Sequence, residues 1–197
     1  GDNNYNLVYK TEGIFGQIKI IDRNDFYTYW RGGPYNVRVM MVNNSAQTYA
    51  HKDNTTETLW DWAYFYKAVA SLSEKKDNAL LLGLGGGSFY HQLVSLGFKQ
   101  VDVVELDERI KDLSIEYFGV PESANIIVDD ARHFININKK EYDVIMLDLF
   151  RNEVAATHVL TQESFSHLKS SITEDGMIIM NFYGFTSGEM GYPIKSV

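Results

Sequence analysis

The chain has 197 residues, 45% of them hydrophobic and 22% charged, enough for one full core with an appendage and ordinary for a globular protein. It contains no cysteine, which excludes disulfides, thiolate metal sites and a cysteine nucleophile and fits a reducing, cytoplasmic compartment. A net charge of −8 without any basic cluster argues against a nucleic-acid partner.

Residues 5–10 and 14–21 read as two strands separated by Thr11-Glu12-Gly13, with Gln17-Ile18-Lys19-Ile20 alternating polar and apolar. Arg31-Gly32-Gly33-Pro34 reads as a turn, and strands follow at 37–42 and 46–50. Asn43-Asn44 between them is a good tight-turn pair, because asparagine tolerates positive φ. These elements predict a small antiparallel β appendage over 1–54. From Thr55 the period changes. Leu59, Trp62, Ala63, Tyr66, Val69 and Ala70 recur at helical spacing, which predicts an amphipathic helix to Leu72. Strands at 79–83, 101–106, 125–129, 142–148 and 176–182 then alternate with helices at 88–96, 108–118, 130–137 and 161–171. That alternation predicts an α/β domain over 55–197: a doubly wound, mostly parallel sheet with right-handed crossovers, of Rossmann-like kind. The chain stops at Val197, soon after its last predicted strand, so the carboxyl-terminal side of the sheet is expected to be truncated. No run of about 18 apolar residues exists to span a membrane. The expected setting is therefore cytoplasmic, with no membrane contact from this stretch.

The strand–helix–strand unit at 79–106 carries the clearest chemistry. Its turn is Gly83-Leu84-Gly85-Gly86-Gly87-Ser88, and Gly83, Gly85 and Gly87 would let backbone turn sharply and approach a ligand. Glu105 ends the second strand, about 20 residues after the first glycine, where an acidic side chain can accept from two ribose hydroxyls. Ligands of open α/β sheets sit at the strand carboxyl ends, which directs attention to Asp129-Asp130-Ala131 and to Asp148. Asp130 could accept from an adenine amino group while the small Ala131 admits the ring; either Asp129 or Asp130 could equally cap the helix that follows. Asp107 reads as a helix cap. Asp148 follows an apolar strand and would face the reacting centre, because a carboxylate there needs a partner or a purpose. Three strand-end carboxylates suit S-adenosylmethionine (SAM) better than a dinucleotide. The five histidines show no metal-ligand spacing, so no metal is expected. The aromatic run Trp60, Trp62, Tyr64, Phe65 and Tyr66 reads as core packing, with one tip available to an acceptor pocket.

These residues resemble the spermidine synthase family of polyamine aminopropyltransferases, most closely the branch often fused to membrane segments. Thr11-Glu12-Gly13-Ile14-Phe15-Gly16-Gln17-Ile18 is similar to its Ser-x-x-Tyr-Gly-x-Ile entry. Residues 40–47 are similar to its Leu-x-Leu-Asp-Gly-x-x-Gln segment, with Gln47 retained and Asn43-Asn44 in place of Asp-Gly. The glycine loop, Glu105, Asp130-Ala131, Asp148-Leu149-Phe150 and His158-Val159-Leu160-Thr161 fall in register with it. The resemblance implies a methyltransferase-like fold and a donor that is decarboxylated SAM or SAM. It implies a small-molecule acceptor, an amine, with the position of Arg151 on its side and Asp148 as the base, and a homodimer as the usual assembly; Tyr64 is the aromatic tip expected to line that acceptor pocket. It also exposes two departures. The family's glycine-loop aspartate, which holds the donor's aminopropyl ammonium, is Gly86 here, and its second acceptor-side aspartate is Arg151. Aminopropyl transfer, methyl transfer, and a non-catalytic nucleoside-binding domain of a larger membrane-associated protein are therefore the readings the sequence leaves open.

Overall fold

The computed structural model describes residues 5–148 and 161–181. Five strands, β1 (Tyr5–Gly13), β2 (Gly16–Thr28), β3 (Gly32–Val42), β4 (Ser45–His51) and β5 (Asn54–Thr58), form an antiparallel meander in chain order. Asn43 and Asn44 both take positive φ, 48° and 65°, at the β3–β4 turn, and Asn43 Oδ1 accepts from the Gln17 amide at 2.9 Å.

Helix α1 (Asp61–Ser71) follows, and then a parallel sheet alternates with helices: β6 (Asn78–Leu82), α2 (Ser88–Ser95), β7 (Gln100–Glu105), α3 (Glu108–Phe118), β8 (Asn125–Val128), α4 (Ala131–Ile137), β9 (Tyr142–Leu147), α5 (Gln162–Ser170) and β10 (Ile172–Met180). The strand order is β10-β9-β6-β7-β8, with β9–β6–β7 as the buried centre. The order reverses at β6, so the chain leaves it in opposite directions on its two sides and opens a crevice beyond the strand ends.

The two faces of the parallel sheet are separately buried. Leu81, Val103, Val144 and Met146 pack under α1, α2 and α3, in one core with Ile18, Ile20 and Met40 of the meander. Leu80, Leu82, Val104, Ile145 and Leu147 pack against Ile135 of α4 and Leu168 of α5. The meander therefore shares a core with the α/β domain. A satellite core of Val37, Val39 and Leu59 closes its outer part.

The structure corrects the helix expected from Thr55. Asn54–Thr58 is the fifth strand, paired with β4 at Ala50↔Thr58 and His51↔Asn54, and the helix begins at Asp61. The β-branched run Thr55, Thr56 and Thr58 favours the pleated surface, and the meander thus runs across the boundary drawn at 54. The aromatic run is corrected in part. Trp60 and Tyr66 pack on Phe89, but Trp62 and Phe65 are 59% and 55% exposed. The β2–β3 turn folds onto this end of α1, where buried Asp61 accepts from the amides of Tyr29 at 2.7 Å and Trp30 at 3.1 Å.

Candidate active site

The carboxyl edge of the parallel sheet is built as a flight of steps, each strand's successor bonding to its neighbour. Gly83 N–H donates to Val104 O at 2.8 Å, Asp129 to Glu105 at 3.1 Å, Asp148 to Leu82 at 2.8 Å and Asn181 to Leu147 at 2.9 Å. The glycine loop, Glu105, Asp129, Asp148 and Asn181 are thereby brought to one rim. Within the loop Gly83, Gly85 and Gly87 all have positive φ, 94°, 53° and 87°, a conformation that side chains with a Cβ resist. Ser114 of α3 ties the loop down, its hydroxyl donating to Gly85 O at 2.8 Å. Gln47 of β4 lies over Gly85, its Cβ 3.6 Å from where a side chain there would begin, while its own amide donates to Ser45 O.

Glu105 is 7% exposed and is held at both oxygens. Oε2 accepts from the Leu84 amide at 2.9 Å and Oε1 from the Asp107 amide at 3.0 Å. Burial pushes its carboxyl above the ordinary value, and those backbone donors work against the shift. Beside it opens a cavity of about 450 Å³ lined by Ile14 and Phe15 of the β1–β2 turn together with Glu105, Leu106, Asp107 and Ile110. Arg109 fastens that turn: both terminal nitrogens lie 3.2 Å from Gly16 O, and Nη2 is 2.6 Å from Asp107 Oδ2.

Two predicted residues have structural duties. Asp107 caps α3, its Oδ1 accepting from the Arg109 amide at 3.0 Å. Asp130 caps α4, its Oδ1 accepting from the His133 amide at 3.0 Å, and Ala131 is buried at the first position of that helix in the core under β7 and β9. Asp129 is paired with His133 Nδ1 at 2.7 Å. Tyr64 turns away from the rim toward the meander, donating to Thr58 O at 3.1 Å, with the Arg31 guanidinium 4.7 Å above its ring. Arg151, His158 and the rest of 149–160 lie outside the described residues.

Sequence reasoning missed two groups. One is Asn181, whose Nδ2 donates to Asp148 Oδ1 at 2.7 Å and whose Oδ1 accepts from the Tyr66 hydroxyl at 2.9 Å. The strand-end rule applied to the fifth parallel strand finds it, since it is the first polar residue after the apolar run of β10. The other is Thr48. A Cβ on Gly86 would collide with Thr48 Cγ2, so the place a side chain would occupy is already taken by buried β4. Thr48 Oγ1 is hydrogen-bonded to Ser88 Oγ, which also accepts from Thr58 Oγ1 at 3.2 Å.

A glycine loop after the first parallel strand, a buried glutamate after the second and an aspartate after the fourth define a doubly wound α/β domain of methyltransferase-like kind. The spermine/spermidine synthase domain matches residues 64–183, and the chain belongs to that family. It is 25% identical over 189 residues to a probable polyamine aminopropyl transferase of Bifidobacterium longum, covering 93% of this chain and 39% of that protein. It is 33% identical over 112 residues to an N-terminal histidine N-methyltransferase of Emericella nidulans, covering 54% of this chain and 20% of that one. In fold it matches the crystal structure of a probable spermidine synthase from Corynebacterium glutamicum with a TM-score of 0.72 at 20% identity, over 87% of this chain and 62% of that one. The chain thus spans less than two thirds of each. Among the described residues no group of His, Asp or Glu is arranged to hold a metal, and no helix is long and apolar enough to cross a membrane.

Proposed function

We propose that this chain is the donor-binding and catalytic part of a transferase that moves an alkyl group from the sulfonium of a SAM-type nucleoside to a small amine. The observation that carries this reading is the pairing of Glu105 and Asp148 on either side of one glycine loop at the sheet's switch point. Glu105 would take the ribose hydroxyls, whose two donors suit a carboxylate that burial disfavours when charged. Gln47 and the loop backbone would face the nucleoside, with Asp130 and Ala131 on the adenine side. Asp148 would accept the proton of the attacking amine. The amine nitrogen forms a bond to the carbon on sulfur, the C–S bond breaks with its electron pair going to sulfur, and a neutral thioether leaves. Holding nucleophile and donor in line supplies much of the rate, because the sulfonium is already a good leaving group.

Family membership favours aminopropyl transfer from decarboxylated SAM. A second reading, methyl transfer from SAM, is favoured by Gly86 and Thr48. An arm ending in an ammonium needs a counter-charge when buried, and the loop has no room for a carboxylate at Gly86. The relative from Emericella nidulans, by its name a methyltransferase, points the same way.

Calorimetric titration with SAM and decarboxylated SAM, side by side, tests the proposal. Tighter binding of the decarboxylated form supports aminopropyl transfer and directs the search to polyamine acceptors; tighter binding of SAM supports methyl transfer. Binding of neither overturns the transferase reading. Asp148→Asn is expected to keep nucleoside affinity and lose turnover; retained turnover would remove Asp148 as the base.

A further inference from the structure

A three-residue chain links Asp148 at the sheet rim to α1. Leu147 of β9 and Met180 of β10 are register partners, so the next residues, Asp148 and Asn181, leave neighbouring parallel strands side by side. Asn181 Nδ2 donates to Asp148 Oδ1 at 2.7 Å, and Tyr66, on the helix packed against β10, donates from its hydroxyl to Asn181 Oδ1 at 2.9 Å. The direction of this chain is fixed from its charged end. An ionised carboxylate only accepts, so the amide must turn its NH2 to Asp148 and its carbonyl to Tyr66, and the phenol must then donate. Burial first, and the Asp148 charge second, raise the Tyr66 hydroxyl above its ordinary value of 10.0, which keeps it a donor near neutral pH. Edge contacts with Phe89 at 5.4 Å and Phe65 at 5.9 Å hold the ring itself.

We propose that Asn181 is a positioning residue that aims the Asp148 carboxylate, and that Tyr66 acts through it by locking the amide against a flip. The inference rests on the reading of Asp148 as the group that takes the acceptor's proton. A half-buried aspartate has a broad rotation about its carboxylate bond; fixing one oxygen sets the plane of the group before the acceptor arrives, so that ordering is not paid for during reaction.

Steady-state kinetics of the whole chain, with SAM and decarboxylated SAM each offered with a diamine, test this through Asp148→Asn, Asn181→Ala and Tyr66→Phe. Asn181→Ala is expected to lower kcat about 100-fold and Tyr66→Phe roughly 3–10-fold, with donor KM unchanged in both. Tyr66→Phe keeps the ring and its packing, so it separates the hydroxyl from folding. A carboxyl 13C NMR titration of Asp148 in the ligand-free protein reads the same chain without turnover. Removing a donor to the charged form raises the carboxyl pKa, so both variants should shift it upward, Asn181→Ala the further. If Asp148→Asn abolishes turnover while the other two keep wild-type kcat, or if neither moves the Asp148 titration, the positioning role is overturned and the base assignment stands. If Asp148→Asn retains turnover, the base assignment falls, and this inference with it.

Discussion

Gly86 and Thr48 show how a single missing side chain can be a built feature. Thr48 is 1% exposed and its methyl occupies the place where a Gly86 Cβ would stand. Restoring any side chain at 86 forces β4 and the loop apart. Gly86→Ala should therefore cost about 1–3 kcal/mol, the usual range for overpacking a tight site. Thr48→Ala removes the clashing methyl, so the double variant should lose less than the sum of the singles; a denaturant-midpoint cycle over the four proteins measures that coupling. Additive losses would show that the two residues do not share the space. The glycine cluster was legible in the sequence as a nucleoside loop, whereas its collision with a strand 38 residues earlier (86 − 48) depended on the meander folding back over it.

The β1–β2 turn is latched to α3 by Arg109. It overhangs the cavity beside Glu105 with Ile14 94% exposed, and Arg109 bridges Gly16 O to the Asp107 carboxylate that also caps α3. Arg109→Ala is expected to destabilise the turn by about 1 kcal/mol, a modest figure because the pair is partly solvated. Hydrogen exchange at the Gln17 and neighbouring amides should then quicken about fivefold, with the amides of β6 and β9 unaffected. Unchanged exchange at Gln17 would mean the Asn43 contact alone holds the turn. Arg109→Lys should not restore protection, since a single ammonium cannot span both acceptors as the guanidinium fork does. The hairpin strands were visible from their alternation; the latch was not, because the arginine comes from a helix start more than 90 residues on.

Across the whole molecule the two edges of the parallel sheet do different work. At the amino edge the buried carboxylates are committed to structure. Asp102 accepts from Lys140 at 2.8 Å and from the Tyr142 hydroxyl at 2.9 Å, and Asp143 from the amides of Asp77 and Asn78. At the carboxyl edge Glu105, Asp129 and Asp148 rim the crevice. The pH response of the fold has a component at the join between the layers, where His91 Nε2 meets Phe118 O at 2.8 Å. Burial holds its imidazole below the ordinary 6.5, with that hydrogen bond opposing, so His91 is neutral in the native state at neutral pH. The unfolded chain protonates it first as pH falls through 6.5, and stability present above that value is lost from there down to the lower native pKa. Thermal midpoints should begin to drop as pH falls toward and below about 6.5. His91→Gln should flatten that drop at some cost in stability at pH 7, and an undiminished drop would assign it to other groups.

The class of fold, the alternation of strands and helices, the glycine loop and the carboxylates that end the strands were all legible in the order of the residues. Each of these is written in local periodicity, in turn residues or in the contrast of one polar residue after an apolar run. Sequence reasoning left Asp130 divided between cap and ligand, misread the strand at 54–58 as the start of a helix, and passed over Asn181 and Thr48. Those depended on the tertiary structure for one reason: a side chain's partner across a sheet or between layers is set by register and packing. The pairing of Met180 with Leu147 put Asn181 beside Asp148, and the fold-back of β4 put Thr48 where a carboxylate could have been.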